Sequence, residues 1–204
     1  MRMSYFGDSY DFVKRSLLEC FGELGKWAVV PMFTEAVEAN SANELQLFLG
    51  APLISTAVLT NENRYSYLKS AAIDQHLFID PNTGLRLKEG GRNSLNYLFA
   101  SELLLLAEQR GRFLTMVFDQ SLGRVVESAR RDEVTKKLRK LHEKELFGFA
   151  YYSHACFLVF SKDETVVNEA IGCISKGLGL TRASYRILDP LTSRTLGKQP
   201  STAS

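Results

Sequence analysis

HLFIDPNTG, residues 76–84, is the stretch on which the fold turns. It opens on a short apolar run, as expected of a strand buried on both faces in a parallel sheet. Pro81 has no amide hydrogen with which to continue a ladder, and Gly84 permits a tight turn. A strand is therefore predicted that ends at Asp80 and presents Asp80 and Asn82 at its carboxyl end. In an open α/β sheet, ligands bind at that end. Asp, Pro, Asn and Gly are also turn formers, so a plain turn accounts for the same residues.

Similar signals lie on either side. Residues 113–118, FLTMVF, form a second apolar run, closed by Asp119. Residues 27–33, WAVVPMF, read as a first strand, with Pro31 either weakening its far end or placing it at a sheet edge. Residues 147–160, FGFAYYSHACFLVF, hold two apolar runs around Ser153 and His154, either a hairpin or a kinked strand. A last strand is expected over 184–188. Helices are expected over 9–24, capped by Asp8 or Ser9, and over 44–49. Others should run from Asn61 or Asn63 to 72, from an N-cap at Ser101 to Gly111, over 133–146, and over 164–176 with a stop at Gly177. Residues 36–44 and 82–92 are small, polar or glycine-rich and are expected to be loops. Strands alternating with helices predict one three-layer α/β domain over 1–189, with a mainly parallel central sheet flanked by helices. The polar residues 190–204 are expected to be a flexible tail.

The 204 residues suit one well-packed domain, and 45% hydrophobic with 24% charged residues is the balance of a globular chain. No apolar run approaches the roughly 20 residues of a membrane span, and MRMSYFGDSYDF is too polar for a signal peptide. The expectation is a cytoplasmic protein with no membrane partner. Cys20, Cys156 and Cys173 are isolated within apolar stretches, which argues against a disulfide framework and a structural zinc site. Net charge is +2, but residues 110–145 carry ten Lys or Arg against six Asp or Glu. Arg86, Lys88 and Arg92 follow the Asp80 turn closely. Basic side chains near a polar cleft suit a phosphate-bearing partner, although a solvated helix face accounts equally well for the 110–145 run.

The strand-end rule gathers the candidate residues at one rim: Asp80 and Asn82, Asp119, His154, and Thr34 with Glu35. Phe6-Gly7-Asp8-Ser9-Tyr10-Asp11 opens the first helix with carboxylates and aromatics. It is either a cap or a rim element whose Tyr10 or Phe6 stacks on a base. Asp80 and Asp119 together would suit magnesium, and Asp119 alone would suit an N-cap. His154 suits a structural role better than a catalytic one, and His76 and His142 are expected to be structural or exposed.

Several motifs are missing. There is no GxGxxG, GxxxxGK[ST] or GxSxG, and no HExxH or HxE…CxxC. A restriction-type nuclease would want an acidic residue before Lys88 where LRLK stands.

YFGDSYDFVKR, LFIDPNTGL and FLTMVFDQS resemble a group of small uncharacterised bacterial proteins with a DP-N/D-x-G strand end. The same arrangement resembles, over about ten residues, the uracil-DNA glycosylase superfamily of single α/β domains, in which an apolar strand precedes a DPY or NPG motif. The resemblance implies that Asp80 positions water, and His154 is the only counterpart of the family's His-Pro-Ser loop. The expected function is a metal-independent, cofactor-free hydrolase of nucleic acid, most plausibly a DNA glycosylase excising a modified or damaged base, with antiviral defence as its setting. In it Asp80, Asn82 and Asp119 are the catalytic candidates. Asp8, Tyr10, Arg86, Lys88, Arg92 and His154 are the DNA-binding ones. The alternatives are a magnesium nuclease built on Asp80 and Asp119, a methyltransferase-like enzyme with DPNTG in the place of its DPPY, and a non-enzymatic binding module.

Overall fold

The structure is a computed structural model and describes residues 6–121, 126–153, 156–180 and 186–189. The tail 190–204 and His154 lie outside the described residues. The elements run α1 (Ser9–Cys20), a 3-10 turn, β1 (Trp27–Val30), α2 (Ala39–Leu49), α3 (Arg64–Lys69), β2 (His76–Ile79), β3 (Gly84–Arg86) and β4 (Tyr97–Phe99). They continue through α4 (Ala100–Arg110), β5 (Thr115–Asp119), α5 (Glu127–His142), β6 (Phe147–Tyr152), β7 (Cys156–Ser161), α6 (Glu164–Leu178) and β8 (Ile187–Leu188). The central sheet has the order β1-β2-β5-β7-β6-β8.

β1, β2 and β5 pair in parallel, Val30 standing opposite Ile79 and Ile79 opposite Val117. β7 is antiparallel to both β5 and β6, so β6 points the same way as β5. Four of the six strands therefore share one direction, and their carboxyl ends make one rim. Residues 147–160 form the hairpin of β6 and β7 rather than one kinked strand.

Side chains alternate across the strands and build a core on each face. Phe78, Met116 and Phe118 pack with Leu17, Leu18 and Ile171 of α1 and α6. Leu77, Ile79 and Val117 pack on the other side with Leu103, Leu138 and Leu141 of α4 and α5. Both strand faces are dry, which accounts for the unbroken apolar runs. β1 is an edge strand, as Pro31 suggests, and its outer side is closed by backbone. Val29 N donates to Pro52 O, and Ile54 N donates to Val29 O, both at 2.8 Å.

The structure corrects four local expectations. α2 begins at Ala39 inside the segment expected to be a loop, because Ala42, Leu45 and Leu49 make an inward stripe while Asn40 and Asn43 face solvent. The expected loop 82–92 contains β3, which pairs in parallel with β4 beside the main sheet. Ser101 lies inside α4, whose first turn is closed by Glu102 accepting from Phe99 N at 2.8 Å. α6 runs through Gly177 to Leu178, with Gly179 as its C-cap, and a Cβ at Gly177 would stand 2.5 Å from Cys20 Sγ.

His76 is structural. Its Nδ1 accepts from Leu114 N at 2.9 Å, its Nε2 lies 3.1 Å from Leu24 O, and its ring packs at a tilt of 33° against Trp27. Burial, with help from the Arg110 and Arg112 charges, pulls its pKa below the usual histidine value despite the Leu24 carbonyl. The unfolded chain takes up this proton near about pH 6.5 and the folded chain resists it. The stability that His76 contributes is therefore complete above that pH and is lost as pH falls through the folded value. The melting temperature should drop on acidification from pH 7.5 toward 5.5, and less steeply in His76→Phe; equal slopes would remove the assignment.

Gly84 has φ +138°, and a Cβ there would meet Asp119 Oδ1 at 2.1 Å and Asp119 Cα at 2.9 Å. Gly84→Ala should therefore destabilise the chain by roughly 2–4 kcal/mol in chemical denaturation, since strain and overlap act together.

Candidate functional site

Pro81 ends β2, and the chain turns over the rim. Asp80 N donates to Val30 O at 2.9 Å, Thr83 N to Asn96 O and Gln120 N to Thr83 O, both at 2.8 Å. Asn82 Nδ2 donates to Thr34 Oγ1 at 2.6 Å and to Asn96 Oδ1 at 3.2 Å. The strand ends of β1, β2 and β5 are thus tied to the segment before β4. A cavity of about 380 Å³ opens there, lined by Asp8, Tyr10, Asp11, Lys14, Asp80, Pro81, Asn82, Thr83, Asn96, Phe118 and Gln120.

α1 forms one wall. Asp8 is its N-cap, Oδ1 accepting from Tyr10 N at 2.8 Å and Asp11 N at 3.1 Å. Asp11 Oδ2 accepts from Gly7 N at 2.9 Å. The Tyr10 ring packs on Phe118 with centroids 5.6 Å apart, making an aromatic corner. Lys14 is the centre of the site. Its ammonium donates to Asp80 Oδ2 at 2.8 Å and Asp11 Oδ1 at 2.9 Å, and lies 4.5 Å over the Phe118 ring. Asp80, Asp11 and Lys14 are 1%, 2% and 4% exposed. Burial works against the Lys14 charge, but the Asp80 and Asp11 carboxylates outweigh it and raise its pKa above the usual lysine value. Lys14 therefore remains a donor and a fixed cation.

Asp119 does not join Asp80. The alternation of the pleat turns it to the other face, where Oδ2 accepts from Lys137 Nζ of α5 at 2.6 Å and Oδ1 from Ser121 N at 3.0 Å. Lys137 Nζ also donates to Ser121 Oγ at 2.8 Å. The paired-carboxylate magnesium site is corrected on that ground: the two strand ends are one residue out of phase, and each carboxylate already holds its own lysine. Between Asp11 and Asp80, the place a divalent ion would take is filled by Lys14 Nζ. Among the described residues, no three His, Cys, Asp or Glu side chains converge as a metal cage.

The basic candidates do not line the cavity either. Arg86 donates to Gly90 O at 2.7 Å and stacks 3.5 Å over the Tyr97 ring, so it organises its own turn. Lys88 and Arg92 are exposed on that turn. Of the expected set, Asp80, Asn82, Asp8 and Tyr10 meet at the cavity, Asp119 stands behind it, and His154 lies outside the described residues. Lys14, Asn96 and Gln120 were not expected there. Lys14 had a signal: it stands in register with Tyr10, Leu17, Leu18 and Phe21, a charge inside the apolar stripe of α1. Asn96 and Gln120 had none, because tertiary contacts bring them in.

No family model, no curated protein and no solved structure matches this chain.

Lys14→Met would leave two buried carboxylates without their cation and should cost about 3–5 kcal/mol in urea unfolding. Combining it with Asp80→Asn should restore part of that loss, and strictly additive effects would show that the pair does not interact.

Proposed function

We propose that the chain is a metal-independent hydrolase that breaks the N-glycosidic bond of a nucleic-acid base held in the Asp80 cavity. The observation that carries this is the composition of that cavity: an aromatic corner of Tyr10 and Phe118 beside carboxylates and the amides of Asn82, Asn96 and Gln120. Its volume of about 380 Å³ suits a small planar ligand. Aromatic faces stack on a base, and amides match the donors and acceptors of its edge.

In the reaction, the oxygen of water bonds to the anomeric carbon as the bond from that carbon to the base nitrogen breaks. The electron pair leaves with the base, and the proton lost by the water ends on it. Asp80 positions the water or stabilises the positive charge that develops on the sugar. Asn82 holds the base edge. Lys14 is a positioning residue that anchors the Asp80 carboxylate. Where the base belongs to DNA, it must be flipped from its stack, and the exposed Lys88 and Arg92 are the side chains available to phosphates.

Methyl transfer to a base amine is the alternative with an observation behind it. DPNTG closes a strand inside a parallel block, where methyltransferase-like domains place DPPY, and an antiparallel hairpin strand, β7, enters the sheet between β5 and β6. Against it, Pro31-Met32-Phe33 follows β1 in place of a glycine-rich turn.

DNA carrying modified or unmodified bases, incubated with the chain in EDTA, should gain abasic sites. Asp80→Asn should lower that rate at least about a hundredfold while the melt remains cooperative. Absence of abasic sites across a broad base panel, with S-adenosylmethionine binding in a calorimeter, would replace the hydrolase by the methyltransferase.

A further inference from the structure

The charges around the cavity say which kind of ring it takes. Asp8, Asp11 and Asp80 line it against one cation, Lys14, a formal excess of two negative charges. An N-terminal helix end ordinarily attracts phosphate, through its unpaired amides and its dipole. Here three amides at and just before the start of α1 are already taken by the chain's own carboxylates. Tyr10 N and Asp11 N donate to Asp8, and Gly7 N donates to Asp11. The place where an anion would sit is occupied from within.

We infer that the Asp80 cavity selects a positively charged ring, such as an N-alkylated base, over the neutral ring, and disfavours a phosphate-bearing one. The inference rests on the base-binding role proposed above and names the substrate class within it. Asp8 is the carboxylate best placed to make the choice, because it lines the cavity and is only half-buried, whereas Asp11 and Asp80 are committed to Lys14. Phosphates of a nucleic acid would then stay outside the cavity, with only the ring entering.

The test is titration calorimetry of the full chain with 1-methyladenosine, which carries a positive ring at neutral pH, beside adenosine and adenosine 5′-monophosphate. The methylated nucleoside should bind at least about tenfold tighter than adenosine, and the monophosphate more weakly than adenosine. Asp8→Asn keeps the N-cap, since asparagine caps as well as aspartate. It should cut the preference for the charged ring over adenosine by about tenfold. Equal affinity for the charged and neutral nucleosides, tighter binding of the monophosphate, or binding of none of the three overturns the inference. Base release from neutral nucleosides or DNA without a charge preference would overturn the inference and keep the hydrolase. A charge preference without cleavage of any glycosidic bond would keep the inference and remove the hydrolase.

Discussion

Lys14 joins two distant parts of the chain at the rim. Its ammonium takes a carboxylate from its own helix, Asp11, and one from the end of β2, Asp80, 66 residues away. Three charges with almost no exposure persist only when each neutralises its neighbour. The consequence reaches the backbone. Holding Asp80 to Lys14 sets the distance between the start of α1 and the strand rim, and that gap is the cavity. Tyr10 and Asp8 reach the rim because Lys14 draws the first turns of α1 onto it.

A second lysine does the same on the other face. Lys137 of α5 meets Asp119 at the end of β5, as Lys14 of α1 meets Asp80 at the end of β2. Two adjacent parallel strands thus each end in a carboxylate held by a lysine from the helix covering that face. Gly84 lets the turn after β2 pass directly over Asp119, so the two ends are in contact through backbone although their side chains diverge. Among the described residues, the cavity that holds Asp80 opens on the α1 face of the rim.

The fold was legible because the strands are continuous apolar runs and their ends are marked by Asp80, Pro81 and Asp119. The rim was legible for the same reason, since strand direction follows from the parallel pairing. What could not be read was phase. Asp80 and Asp119 look equivalent in sequence, but a single residue of offset sends them to opposite faces. Helix starts were misjudged where caps come from unexpected groups: α4 is closed by Glu102 rather than by Ser101, and α2 hides its apolar stripe among asparagines. Arg86 reads as a phosphate ligand in the sequence because neither the closing of its turn onto Gly90 O nor its stacking on Tyr97 shows there.

The treatment of β1 has a consequence for how the chain behaves among its own copies. An edge strand offers a row of unpaired backbone groups to any other strand, and four apolar residues in a row would make an adhesive one. Here Val29 spends its amide on Pro52 O and its carbonyl on Ile54 N, and Leu53 bridges alongside. Among the described residues, the opposite end of the sheet carries the two-residue strand β8. The β1 border is thereby sealed at Val29, so its apolar edge does not offer that residue's backbone to a strand from another copy.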